Sequence, residues 1–363
     1  MPVRARAVDH LDLELDFRAT ACAVSHSSGR VRAPRDRWMI RCTWIVLLAF
    51  EAACRSAPPV FNPPVKPGAV ALDVGFLASR ALEGRSTGTR GNDSAAVFLA
   101  RRHFALGLPG AFAGKCPIGT SGADCGWSYF QYFKNDSVAG HNVGAYVRGS
   151  DPDLLREFVV VGAHYDHIGM SPDFALDPDL LSSLRPGADD NASGTAALLE
   201  LARRLAASPP PRSVLLIHFD AEEWGLVGSR AFVQDPPIPT STIVFMLNLD
   251  MIGRLKGQTL LVDVTAADVP SRNLADSIGR SLGVRTQHTE SVDLRSDHLS
   301  FGSIGVPALS LTSGFHSDYH RVTDVAEKID VGGMMRVIDV AEGMVRAAAR
   351  RNWQPRRSSV VTR

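Results

Sequence analysis

The sequence predicts an α/β protein, a three-layer sandwich with a mostly parallel central sheet. Three observations carry this. The segments "EFVVVGAH" and "SVLLIHF" are continuous and apolar, as strands buried on both faces should be. Helical patterns alternate with segments of that kind, which implies parallel strands joined by crossover helices. The 363 residues are 45% hydrophobic and 21% charged, enough apolar material for one large core.

The elements follow in chain order. In residues 1–54, "RDRWMIRCTWIVLLAFEAACRSAPP" has a basic lead, an apolar run from Cys42 to Phe50, then small residues. That is the layout of a secretory signal, and the run is too short to cross a bilayer core of roughly 30 Å as a helix. Export is therefore expected, to a bacterial periplasm or outer envelope or as a secreted protein; the alternative is a buried N-terminal helix. "MIRCTWIVLLAFEAAC" is a complete signal in itself, which makes Met39 a rival start to Met1. "AAC" resembles the end of a lipoprotein signal in which Cys54 would carry a lipid anchor, although Glu51 fits that pattern poorly. Of five cysteines, Cys22, Cys42 and Cys54 lie in or before this segment. Cys116 and Cys125 stand in a Gly-rich stretch that can turn back on itself; in an exported protein a disulfide is expected there, with two reduced thiols as the alternative.

Residues 55–71, with "RSAPPVFNPPVKPG", read as a proline-rich tether. One domain is expected from residue 72 to 350, followed by a basic tail over 351–363. Within the domain "AAVFLARRHFALGL" reads as an amphipathic helix, "HNVGAYVRG" as a strand and turn, and "SGTAALLELARRLAAS" as a strong helix with Ser193 as its cap. "STIVFMLNLD", "TLLVDV" and "VPALSLT" are further strands, and "SRNLADSIGRSLG" and "VGGMMRVIDVAEGMVRAAAR" further helices. A net charge of +1 gives no electrostatic case for nucleic acid or an anionic membrane as partner.

Ligand sites in such sheets gather beyond the carboxyl ends of the strands. There the sequence places His164, Asp166 and His167 after one strand, and Asp220, Glu222 and Glu223 after another. Asp250 ends a third, His316, Asp318, Tyr319 and His320 follow a fourth, and Asp189 and Asp190 precede the strong helix. Imidazoles with carboxylates are a ligand set for zinc, manganese or cobalt, and this many donors suits two ions bridged by a carboxylate. Adjacent glutamates then make sense: one binds metal while the other is free to accept a proton, and the cations offset both charges.

The ordered segments "GAHYDHIG", "GADDNASG", "DAEEWGLVGS", "LNLDMIG", "RSDHLSFGSIGVPAL" and "DYHRVTD" resemble the successive motifs of the co-catalytic di-zinc aminopeptidases, relatives of glutamate carboxypeptidase and glutaminyl cyclase. The resemblance covers roughly residues 85–330. It implies a zinc-aminopeptidase-like fold, two Zn2+ per chain and hydrolysis of N-terminal residues from peptides. By the same resemblance, His164 and Asp250 hold one zinc, Glu223 and His320 the other, and Asp190 bridges. Glu222 is then the general base and later the acid for the leaving amine. Asp166 orients the ligand imidazole, Tyr319 steadies the oxyanion, and Asp297 and His298 lie near the substrate pocket. Asp189 is the rival to Asp190, and His316 to His320. His167 is left open between pocket lining and solvated loop, and His218 reads as a satisfied core histidine. A glutaminyl cyclase-like transferase or a carboxypeptidase on the same fold stands as the alternative. The stretch from Asp250 to His320 is too short to hold both the separate lid domain of a related di-metal family and the remaining core.

Overall fold

An eight-stranded sheet organises the chain, and the polarity of its middle strands decides where the chemistry gathers. The computed structural model describes residues 67–113, 127–180, 182–255, 259–264, 269–289 and 295–353. All of them belong to one compact unit, Pro59–Arg363. The export signal, Met39, Cys54 and the Cys116–Cys125 pair lie outside the described residues.

Helix α1 (Pro67–Leu77) opens the described chain, beginning inside the segment read as a tether and running into the expected domain. Val70, Val74 and Leu77 recur at helical spacing and are buried, so packing rather than proline content decides. Helix α2 (Arg90–Ala105) follows, with Thr89 Oγ1 accepting the Asn92 amide as its N-cap. A short ribbon, β1 (Phe112–Ala113) with β2 (Trp127–Ser128), precedes β3 (Phe130–Lys134) and β4 (Ala139–Val147). Then come β5 (Phe158–His164), α3 (Gly194–Ala207), β6 (Ser213–Phe219), α4 (Val227–Gln234) and β7 (Ile243–Leu249). The chain continues through β8 (Thr259–Val264), α5 (Val269–Ser281), β9 (Arg285–Thr289), α6 (His298–Gly302), β10 (Ala308–Thr312) and α7 (Val331–Ala348).

The strand order is β3-β4-β6-β5-β7-β10-β8-β9. The four middle strands, β6, β5, β7 and β10, are mutually parallel, and β8 and β9 are parallel to each other. Three neighbouring pairs are antiparallel: β3 with β4, β4 with β6, and β10 with β8. The parallel sheet expected from the sequence is thus the centre of a mixed one.

Both faces are covered, which is why the middle strands carry no polar alternation. Val159, Val161, Phe245 and Leu247 pack with Leu198, Leu201, Val337 and Met344 of α3 and α7. Val160, Met246 and Ile217 face the other way, against Phe232 of α4 and Phe301 of α6. The expected tail starts later than residue 351: Trp353 packs edge-on against Phe245, and Arg351 pairs with Asp151 and Asp153. Ser193 is not a cap. It already has helical angles, and its hydroxyl donates to the Asp189 carbonyl and accepts the Ile252 amide. Asn191 takes its place, its Oδ1 accepting the Gly194 amide.

Candidate metal centre

At the carboxyl ends of the parallel strands the chain turns sharply, and acids and imidazoles sit at the turns. Non-glycine residues with positive φ occur at Ala221 before Glu222, at Met251 after Asp250 and at His320 itself. Such backbone is costly and is held only where surrounding structure over-determines it.

Two groups of donors converge, each with ligand atoms within 4.8 Å of one another: His167, Asp190, Glu223 and His320 form one, and His164, Glu222 and Asp250 the other. Asp190 stands between them. Its Oδ1 lies 3.3 Å from His164 Nε2, and its Oδ2 lies 3.2 Å from His320 Nε2. His164 Nε2 is 3.4 Å from Asp250 Oδ1, and His320 Nε2 is 3.1 Å from Glu223 Oε2. One carboxylate therefore presents an oxygen to each group, the arrangement a bridging ligand needs. The rivals fall out by position. Asp189 Oδ2 faces His316 Nε2 at 3.1 Å, and its Oδ1 accepts the Gly253 amide at 2.6 Å, so this pair sits behind the cluster.

The electrostatics show a site built for cations. Burial works against a charged His320, but the carboxylates of Asp190 and Glu223 outweigh it and raise its pKa to about 11. Burial likewise opposes His164, which Asp250 and Glu222 nevertheless hold well above the usual imidazole range. Burial would raise Asp190, yet His164 and His320 hold it well below the ordinary carboxylate value. Glu222 behaves differently: burial, with Glu223, Asp250 and Asp297 near it, pushes it well up against the opposing pull of His164. Among the described residues, Asp250 Oδ1 and His320 Nε2 are buried with no hydrogen-bond partner. A divalent cation at each group would meet that acid excess and those orphaned atoms, and the nitrogen and oxygen donors suit zinc. The residues fit the ions they are expected to hold.

A scaffold behind the cluster fixes it. Asp166 accepts the amides of Glu222 at 3.1 Å and Glu223 at 3.3 Å, so one carboxylate aligns the whole adjacent pair. Its expected role toward His164 is shared: its backbone oxygen is 3.2 Å from His164 Nδ1, while its carboxylate is 3.6 Å away. Asp324 accepts the amides of Asp189 and Asp190 and the guanidinium of Arg254, which also reaches Asp318. Arg85 is fully buried and donates to the carbonyls of Tyr165, Leu77, Pro186 and Gly187. Burial lowers its pKa to about 10, against the pull of Asp190 and Asp166, so it remains a cation under the acids.

Sequence reasoning left Arg85 and Asp324 without roles, although Asp324 closes the quoted motif "DYHRVTD" and Arg85 stands at the start of the resembling stretch. It also left His167 open. That residue is buried, with Nδ1 2.9 Å from Glu223 Oε1. His218 is buried as expected, but among the described residues its only hydrogen-bond-range partner is His103, Nε2 to Nε2 at 3.0 Å, and its Nδ1 has none.

The cluster opens into a pocket lined by Met251, Asp263, Ser296, Thr312, Phe315 and Tyr319, among others. Tyr319 stacks on His320 with ring centroids 3.8 Å apart. Burial and the surrounding carboxylates raise its pKa, so the phenol keeps its proton. Asp297 and His298 lie one layer behind the wall: Asp297 is buried, and His298 Nε2 is 3.2 Å from Asp263, which does line the pocket.

The family model described as peptidase family M28 matches residues 142–345. Aminopeptidase YwaD of Bacillus subtilis (strain 168) is 29% identical over 216 residues, 55% of this chain and 43% of that protein. The chain spans about half or less of the length of the curated relatives it matches. Among solved structures, the aminopeptidase from Aneurinibacillus sp. strain AM-1 superposes with a TM-score of 0.61 at 18% identity, covering 79% of this chain and 95% of that one. Porphyromonas gingivalis glutaminyl cyclase superposes with a TM-score of 0.62 at 18% identity, covering 78% and 99%. At such identities these two likenesses speak for the fold alone.

Proposed function

The chain belongs to peptidase family M28, and from that premise we propose that it is a zinc-dependent aminopeptidase removing N-terminal residues from peptides. The observation that carries the reading is Asp190, whose two carboxylate oxygens face two separate imidazole–carboxylate groups. His164 and Asp250 would hold one zinc ion, Glu223 and His320 a second, with Asp190 shared. Bound there, the two cations would supply the charge that polarises a scissile carbonyl and acidifies water.

The rest falls to the chain's own side chains. Glu222 would accept a proton from the attacking water, and its raised pKa suits a base that must later return that proton to the leaving amine. Asp166 would keep Glu222 and Glu223 in register through their amides. The Tyr319 phenol, still protonated at neutral pH, would donate a hydrogen bond to the oxyanion. Asp263 and Ser296 line the pocket in which the first substrate residue would sit, with Asp297 and His298 supporting that wall.

A panel of aminoacyl-nitroanilides with and without chelator tests this. Chelator-sensitive release of nitroaniline that zinc restores is expected, and release indifferent to chelator would contradict it. The likeness to a glutaminyl cyclase structure keeps one rival in play. An N-terminal glutamine peptide should be shortened; conversion to pyroglutamate without shortening would favour the transferase, and release from the other end a carboxypeptidase.

The signal-like segment supports export, with Cys54 as a lipid-anchor site and a Cys116–Cys125 disulfide in the oxidising compartment. N-terminal sequencing of the mature protein tests this: a start near residue 54 is expected, and an intact Met1 would end the idea.

A further inference from the structure

The aminopeptidase reading takes one imidazole for each cation, yet a third histidine faces the same carboxylates. His167 is fully buried, three residues beyond His164. Its Nδ1 lies 2.9 Å from Glu223 Oε1 and 3.6 Å from Asp190 Oδ2. His320 Nε2 meets the same two carboxylates at 3.1 and 3.2 Å. Two imidazole nitrogens thus address one pair of carboxylates from different sides, their rings edge-to-face with centroids 5.5 Å apart. Gly187, at φ 61, lets the chain pass against the His167 ring, where a Cβ would overlap it.

Tetrahedral zinc with bonds of about 2.0–2.2 Å places its donor atoms roughly 3.3–3.6 Å apart. The four spacings between the imidazole nitrogens and the carboxylates run from 2.9 to 3.6 Å, from somewhat under that edge length to its upper end. We infer that His167 is itself a metal ligand through Nδ1, so that the two cation positions are unequal. One is closed by four protein donors: His167, His320, Glu223 and Asp190. The other has three, His164, Asp250 and Asp190, and opens toward Glu222 and the pocket. Closed four-donor sites are the holding kind, and three-donor sites with an open place are the working kind. The closed position fills first and empties last, while the open position exchanges.

This rests on the two-cation reading, and the test separates the two. Zinc is titrated into the metal-free, full-length protein with a competing chromophoric chelator, and X-ray absorption is recorded at one zinc equivalent. The wild type should bind in two steps at least tenfold apart in affinity, with two imidazoles around the first zinc. His167→Ala and His167→Gln should each weaken the tighter step at least tenfold. Glutamine keeps an N–H for Glu223 but supplies no imidazole, so wild-type affinity in that variant would reduce His167 to a hydrogen-bonding support and overturn the inference. A single imidazole at one equivalent in the wild type would overturn it too, without any variant having to fold. A protein that takes up no zinc defeats both readings, and two ions with one imidazole each defeats this one alone.

Discussion

Two pairs of buried histidines in this molecule behave in opposite ways. His164 and His320, at the carboxyl ends of the parallel strands, have pKa values raised, His320 to about 11. His103 on α2 and His218 on β6 touch each other instead, and burial lowers both, His103 to about 3 with Arg102 adding to the effect. Burial acts in the same direction on all four. What differs is whether carboxylates stand within about 3.5 Å, as they do around His164 and His320. At the carboxyl ends of the middle strands, acids offset the desolvation of a buried imidazole; under α2, where burial and Arg102 prevail, the same ring must stay neutral.

The strongest way to break the acid-rich side is through Glu222. Glu222→Gln should retain zinc and lower kcat on the order of 10³-fold, since a positioned proton acceptor contributes about 10²–10⁴. Steady-state kinetics beside metal analysis checks this, and full activity would remove Glu222 from the role of base. Next in size, Asp324→Asn removes the charge of the carboxylate that pairs with Arg254 through one oxygen and accepts the amides of Asp189 and Asp190 through the other. Outer-shell partners of this kind are worth about 10–100-fold in metal affinity. That loss should appear in a chelator competition, and unchanged affinity would show that the Asp190 loop holds itself.

The acid-poor side makes a smaller and slower prediction. A histidine whose folded pKa lies below its unfolded value contributes its full stability above about pH 6.5, because both states are then neutral. As pH falls below 6.5, only the unfolded chain takes up the proton. Stability should therefore drop by up to about 1.4 kcal/mol per pH unit for each such histidine, toward the folded value near 3 for His103. Urea unfolding between pH 7 and 5 measures the slope. The double variant His103→Leu with His218→Leu should flatten it, and an unchanged slope would assign acid sensitivity elsewhere.

Much of the fold was legible because the middle strands are buried on both faces: "SVLLIHF" coincides with β6, and "EFVVVGAH" contains β5. The donors at strand ends were legible for a related reason, since a buried strand followed at once by His, Asp or Glu has few structural excuses. The edge strands β3 and β9 are half exposed and carry no such run, so nothing in their pattern marked them. His167, Asp324 and Arg85 lie in loops or at turns, where periodicity is silent and their contacts cross 56, 134 and 80 residues of chain respectively. Ser193 misled for a local reason: a serine before a helix suggests a cap, and only the fold shows Asn191 taking that place.

The proposed site depends on Asp190 joining two cations. Anomalous diffraction at the zinc edge from zinc-loaded crystals tests this most directly. Two peaks roughly 3.5–4 Å apart, one beside each carboxylate oxygen of Asp190, are expected. A single peak, or two that leave Asp190 touching only one, would contradict it.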